Sequence, residues 1–317
     1  MNRKRVTHTA TERRLARLPS GSDISVTVHR YEGSPGPTVY VQAAQHGIEL
    51  NGTAALRRLH DHLTSTEIAG TVLVVPIANP RAFDHRSYVT PHALDAVNSN
   101  MNRVWPGDDD GTLQERSARR LWYLVEGADA VIDLHTGSAD MLEHVRFQDD
   151  DSEALAEAFG SEYLLVDAAE ENAPDRDFRG KLRTAAARAG IPAITPELSN
   201  SRRVDHSAVQ RGATGIRNVL RKMNVLDGVP DTPVTRTVFR SDGDCIRAED
   251  SGLFEPRPDI EVGDRVSPET TLGSIYSPAT FEELQTVTAR ESGIVYSLTR
   301  ESVVAAGEKL ADVAEIV

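Results

Sequence analysis

One cysteine, Cys245, among 317 residues excludes an intramolecular disulfide framework and any site built on several thiolates. A metal held by this chain must therefore have nitrogen and oxygen ligands. Lysine is nearly as scarce, since only Lys4, Lys181, Lys222 and Lys309 appear and the other basic residues are arginine. No apolar run approaches the length that spans a bilayer. The basic start, Met1–Arg17, lacks the apolar segment that follows in a secretory signal, so a soluble, cytoplasmic protein that does not engage membranes is expected.

Positive charge is in short supply overall, with a formal net charge of −13. A field of that sign repels nucleic acid, which a binder meets with a basic stripe. Acidic clusters recur at Asp108–Asp110, Asp149–Asp151 and Glu170–Glu171. Carboxylate-rich, lysine-poor surfaces keep proteins soluble in strong salt, so a halophilic host is the reading. The melting temperature should then rise with potassium chloride into the molar range; a thermal scan in which added salt lowers it would dispose of this reading.

The length exceeds the usual size of one domain and points to a main domain with an appendage. Residues 1–225 alternate strand and helix patterns, as in a helix-flanked, mixed and largely parallel sheet. Expected strands are Ile24–Tyr31, Thr38–Ala44, Gly70–Ile77, Ala130–Gly137, Tyr163–Val166 and Ile191–Leu198. Expected helices lie at Thr11–Leu18, after Gly52 (Ala55, Leu56, Leu59, Leu63), after the capping box Thr112–Glu115, at Ser152–Phe159, at Phe178–Ala189 and around Val209–Met223. The polar stretch Ala78–Gly111 is long for structureless chain, and such segments commonly carry function. Residues 226–235 form a linker. From residue 236 to 317 the runs are short, β-branched and punctuated by glycine, as in a small all-β sandwich or barrel. A loose repeat, Ser251-Gly252-Leu253-Phe254 and Ser292-Gly293-Ile294-Val295, suggests two halves related by a pseudo-twofold axis.

Chemistry concentrates where apolar runs end. Thr38–Ala44 closes on Gln45-His46-Gly47-Ile48-Glu49, which places an imidazole and a carboxylate three positions apart between a strand and a helix. They can share one cation. The run Ala130–Leu134 ends on His135, and Ile191–Leu198 carries Glu197 near its end. Ligands of open α/β sheets collect at the carboxyl ends of the strands. Two histidines and a glutamate for the metal, with a spare glutamate beside them, is the inventory of a hydrolytic zinc site.

The ordered series His46-Gly47-Ile48-Glu49, Asn79-Pro80-Arg81-Ala82 with the later Arg86, Asn102-Arg103 ahead of Trp105-Pro106-Gly107, Asp133-Leu134-His135-Thr136, and Glu197 resembles the succinylglutamate desuccinylase/aspartoacylase family. That family is similar to zinc carboxypeptidases in its catalytic domain. The resemblance implies one zinc ion on His46, Glu49 and His135, with Asn102 and Arg103 gripping the substrate carboxylate. It further implies Arg86 at the scissile carbonyl and Glu197 as general base, so that a small N-acyl amino acid loses its acyl group.

Elementary chemistry agrees with that reaction. Zinc lowers the pKa of bound water to about 7, a neighbouring carboxylate can relay its proton, and losing one oxyanion donor typically costs roughly 3 to 4 kcal/mol. Each residue also has a plainer reading taken singly. Glu197 could be a buried structural carboxylate, Arg103 a partner of Asp108–Asp110, and Arg86 a surface arginine. His60 and His62 read as surface residues of a helix, and His85, His92, His144 and His206 as solvent-exposed or supporting residues without a role. Competing functions are a metallocarboxypeptidase trimming peptide C-termini and a metal-holding binding protein without catalysis. The tail also resembles lipoyl- or biotin-carrier domains, but Ser274–Ser292 contains no lysine to modify, so it reads as a structural wall. The sequence leaves the oligomeric state open, a homo-oligomer included.

Overall fold

Hydrogen bonding joins most strands of the chain into one long mixed sheet. The structure, a computed structural model, describes residues 3–138, 140–167, 180–232, 235–241, 245–300 and 302–317. Glu170–Glu171, the first two residues of the helix expected from Phe178, and Pro233 and Val234 of the expected linker lie outside the described residues.

The centre of the sheet consists of three parallel neighbours, β4 (Ser34–Ala43), β6 (Ala130–Gly137) and β9 (Ala193–Asn200). All eight residues of β6 are buried, because helices cover both faces. On one face lie α1 (Asn51–Leu63), α4 (Asp150–Phe159) and α6 (His206–Lys222). They bury Leu56, Leu59, Leu155, Ile216 and Val219 against Val39, Val41, Ile132 and Leu134. On the other lie α3 (Leu113–Val125) and α5 (Leu182–Arg188), whose Leu121, Trp122, Leu182 and Ala186 pack on Tyr40, Val131 and Ala193. Burying one such aliphatic side chain contributes about 1.5–3 kcal/mol, so a one-residue slip of β4 or β6 would be strongly opposed. The expected capping box forms at the start of α3, where Thr112 N–H donates to Glu115 Oε2 at 2.7 Å.

Outward from β4 the sheet continues through β5 (Glu67–Val75), β3 (Asp23–Glu32) and the edge strand β2 (Thr7–Arg17). The helix expected over Thr11–Leu18 is thus a strand. Residues Thr7 to Arg17 pair with Glu32 to Asp23 along β3, and Leu15 is buried with Leu121 and Trp122 of α3. That ladder satisfies the backbone over eleven residues, where an isolated helix so short is marginal.

In the other direction, β7 (His144–Phe147) inserts between β9 and β8 (Tyr163–Asp167) and runs antiparallel to β9; the sequence reading had no strand there. Next comes β10 (Thr237–Ser241), parallel to β8, followed by β18 (Lys309–Ile316) of the C-terminal region. The main sheet therefore runs without a break into the tail.

The tail is the small β unit expected, folded around Phe254, Leu272, Ile275, Val295, Leu298 and Leu310. In one half β12 (Gly252–Pro256) pairs with β14 (Thr271–Tyr276), and in the other β16 (Gly293–Leu298) pairs with β18. Each half lends a short strand to the other. Val303–Val304 (β17) pairs with β12, and Arg265–Val266 (β13) pairs with β16, which is the exchange a pseudo-twofold repeat produces.

Candidate metal centre and active-site cavity

The strands β4, β6 and β9 end side by side, and their last residues meet. His46, Glu49 and His135 are buried, and each offers a ligand atom within 4.8 Å of the others. Glu197 stands directly across from His135 in the β6–β9 register.

Local packing fixes the loop that carries the first two. Ala44 is held at φ 54° just before it, a left-handed conformation that costs energy and turns the chain sharply. Ala78 and Asn79 N–H donate to the carbonyls of Ala43 and Ala44 at 2.8 and 3.1 Å. The Asn79 side chain caps the turn Pro80–Asp84 (α2) by accepting from Ala82 N–H, and it donates to the Gln45 carbonyl at 3.2 Å. Gly47 lies so close to the Ala82 carbonyl that a Cβ would collide with it. The Asn-Pro segment is thus the buttress of the metal loop.

Each of these side chains is oriented from behind. His46 Nδ1 donates to the Tyr88 carbonyl at 3.0 Å, leaving the Nε2 lone pair for a cation, and the Tyr88 ring stacks on the imidazole at 3.9 Å. Burial pushes His46 down to about 4, so it is neutral, as a ligand must be. His135 lies between two carboxylates, Nδ1 at 3.1 Å from Glu49 and Nε2 at 3.0 Å from Asp133. Burial opposes its charge, but these two carboxylates outweigh burial and raise its pKa well above the usual value. A cation in the group can take over the neutralising role of that proton. Asp133 is itself pinned by Gln45 Nε2 at 2.6 Å and Gln42 Nε2 at 3.0 Å. A buried set of two imidazoles and one carboxylate, with a carboxylate behind one imidazole, fits a zinc-type ion.

The cluster floors a cavity of about 500 Å³ whose wall holds Asn102, Arg103, Arg146, Lys181, Arg183, Arg202 and Lys309. Asn102 and Arg103 come from a 3-10 turn, Met101–Arg103; Asn100 Oδ1 caps it and Asn102 Oδ1 accepts from Leu182 N–H at 3.2 Å. Arg103 is exposed on the rim. Asp109, its expected competitor, pairs with Arg119 and Arg120 instead. Burial raises the pKa of Glu197, and Glu49 adds to this; His135, Arg146 and Arg183 pull the other way.

Arg86 is the expected site residue that the fold leaves outside. The turn that follows α2 uses its backbone to hold the metal loop, through Ser87 O to Gly47 N–H and Tyr88 O to His46. Arg86 is exposed on that turn at φ 52° and does not line the cavity. His85, His92 and His206 are exposed as expected. His144 is not: it is 1% exposed, wedged against Phe239 and Tyr296, with Nδ1 at 2.7 Å from the Leu142 carbonyl.

A buried cluster behind the wall had no sequence signal. Asp167, at the end of β8, receives Arg183 from α5 and Arg146 from β7, the latter at 2.8 Å; Arg183 also donates to Thr195 Oγ1 at 2.6 Å. Tyr88 and Gln45 were likewise missed as partners of the ligands. The tail closes one side, since Arg300 binds Asp140 at 2.8 Å, Leu142 N–H donates to Tyr296 O at 2.9 Å, and Lys309 reaches the cavity.

A mixed α/β sheet flanked by helices, with a His-Glu-His group at its carboxyl edge and a small antiparallel β unit joined to it, is the architecture of this chain. The chain belongs to the succinylglutamate desuccinylase/aspartoacylase family, whose catalytic domain matches residues 35–223. It is 27% identical over 331 residues to the N-alpha-acetyl-L-2,4-diaminobutyric acid deacetylase of Halomonas elongata, covering 95% of this chain and 90% of that protein. It is similar to the product-bound structure of the ectoine utilization protein EutE (DoeB) from Ruegeria pomeroyi, with TM-score 0.84, 25% identity, and 98% and 95% of the two chains covered. A succinylglutamate desuccinylase/aspartoacylase from Rhodobacter sphaeroides gives TM-score 0.83 at 25% identity, covering 98% and 96%. No helix among the described residues is long and apolar enough to cross a membrane.

Proposed function

We propose that this chain is a zinc-dependent amidohydrolase that removes the acyl group from a small N-acyl amino acid. The observation that carries the reading is the buried His46–Glu49–His135 group with Glu197 on the neighbouring strand at the floor of one cavity. Relatives named as a deacetylase and as desuccinylases support amide hydrolysis.

When bound, the metal lowers the pKa of water toward about 7 and polarises the amide carbonyl. Glu197 accepts the proton of the attacking water and returns it to the leaving amine. Arg103 clasps the substrate carboxylate, because a guanidinium offers two parallel hydrogen bonds, and Asn102 fixes the turn and faces the same cavity. Asp133 holds His135 in one orientation.

The cavity volume lies in the range for small-molecule sites, roughly 300–1,000 Å³. Its wall carries six cationic residues, of which Arg146 and Arg183 share Asp167 and Lys309 pairs with Asp312, while Arg103 stands at the rim. That balance favours a substrate that presents at least one carboxylate. The tail, packed against residues 140–142, walls one side of the cavity, an arrangement that would disfavour an extended peptide.

The test is release of free amine from N-acetyl, N-succinyl and N-formyl amino acids by the zinc-loaded protein at high salt. We expect turnover that a chelator abolishes and none on dipeptides or longer peptides. Cleavage of peptides with silence on the acyl amino acids would replace this reading with the metallocarboxypeptidase. Silence on both, with metal bound, would leave a non-catalytic metal-holding protein.

A further inference from the structure

A second group of metal-ligating side chains lies on the far side of the sheet's edge, remote from the cavity. His8 on β2, His29 on β3 and His60 on the last turn of α1 each offer a ring nitrogen within 4.8 Å of the others. We propose that these three imidazoles form a second site for one divalent late transition metal of the nickel–copper–zinc group, clipping the edge hairpin to α1.

The register explains the meeting. His8 faces Tyr31 and Ala10 faces His29 across the β2–β3 ladder, so His8 and His29 are diagonal neighbours on one face. The Tyr31 ring on that face is buried against Leu56, Leu59 and Leu63 of α1, which brings the end of the helix over the hairpin. His60 therefore arrives from a third element. It begins roughly 14 Å along α1 from Asn51, counting nine residues at the usual helical rise, and so stands well away from Glu49.

Distances favour a shared ion. Two imidazole nitrogens bound tetrahedrally to one zinc at about 2.05 Å stand about 3.3 Å apart. His8 Nε2 and His29 Nδ1 are 3.1 Å apart, in a hydrogen bond whose bridging proton an ion would displace. The third nitrogen, within 4.8 Å, has at most about 1.5 Å to travel on a partly exposed side chain to reach the same spacing.

The surroundings suit the chemistry. Tyr31 Oη lies 2.7 Å from His60 Nδ1, a hydrogen bond that fixes the plane of the His60 ring. Hydrogen bonds of this kind orient metal-binding imidazoles. All three residues are partly exposed, so an ion can reach them. Three neutral imidazoles with a fourth position for water is a set that imidazole-preferring metals take, copper(II) above nickel and zinc in affinity. Among the described residues no other such group occurs besides the cavity cluster.

This inference does not rest on the proposed reaction. Equilibrium dialysis against zinc, followed by metal analysis of the full chain, should give two ions per chain for the unaltered protein. His29→Gln and His8→Gln, both on partly exposed strand positions, should each hold one and keep kcat/KM for the best acyl amino acid within twofold. His46→Gln should also hold one, and cobalt(II) loaded into it should show tetrahedral visible absorption that disappears when His29→Gln is added. One ion per chain in the unaltered protein and in both hairpin variants would overturn the proposal. So would a second ion that persists in His8→Gln and His29→Gln.

Discussion

Glu197→Ala should lower kcat by roughly 10²- to 10⁴-fold, the usual contribution of a general acid–base group, while the protein keeps its metal and its fold. The expectation follows from position: Glu197 is opposite His135 across the ladder, faces the cavity, and is not one of the three clustered ligand residues. Its own strand is anchored elsewhere, through Thr195 to Arg183, so shortening the side chain leaves β9 in register. The measurement is turnover of the best acyl amino acid together with metal content and melting temperature. Normal turnover in a metal-loaded variant would remove Glu197 from the chemistry. Loss of metal alongside loss of turnover would instead make it part of the binding set.

Asp167→Ala should be the most damaging substitution outside the metal group. The Asp167 and Arg183 side chains are 0% and 3% exposed, and Arg146 is held by the same carboxylate. Removing one partner of a buried ion pair leaves an uncompensated charge and typically costs about 3–5 kcal/mol. In a chain of this size each kcal/mol corresponds to roughly 2 °C in melting temperature. Activity should fall with stability, because Arg146 and Arg183 both line the cavity. Thermal denaturation and kcat/KM would be followed together. An unchanged melting temperature would show that the two guanidiniums hold their places without the carboxylate.

That His46, Glu49 and His135 come together was legible because each follows the end of an apolar run, and a strand's end is a feature of local sequence. Glu197 was legible for the same reason. The arginine cluster was not, since Arg146, Asp167 and Arg183 come from β7, β8 and α5 and meet only because β7 inserts between β8 and β9. A four-residue strand, His144–Phe147, gives too short a pattern to announce that insertion. The misreading of Thr11–Leu18 has a different origin. Its arginines, leucines and Ala16 favour a helix locally, and the choice was made by a long-range partner, β3. His60 looked like a surface residue because nothing near it in sequence reveals His8 and His29. Arg86 follows a motif faithfully in order, yet the backbone bonds of its turn set it facing solvent.

The ladder from β8 through β10 into β18 makes the tail part of the same continuous fabric as the reacting centre. A mechanical pull on the last strand is transmitted through β10 to β8 and Asp167, and from there to the guanidiniums of the cavity wall. A hinge between the two parts has no unpaired seam in this ladder along which to bend. A swing of the tail away from the main sheet would have to break that ladder, whereas the rim residues Tyr88, Arg103 and Arg202 lie outside it.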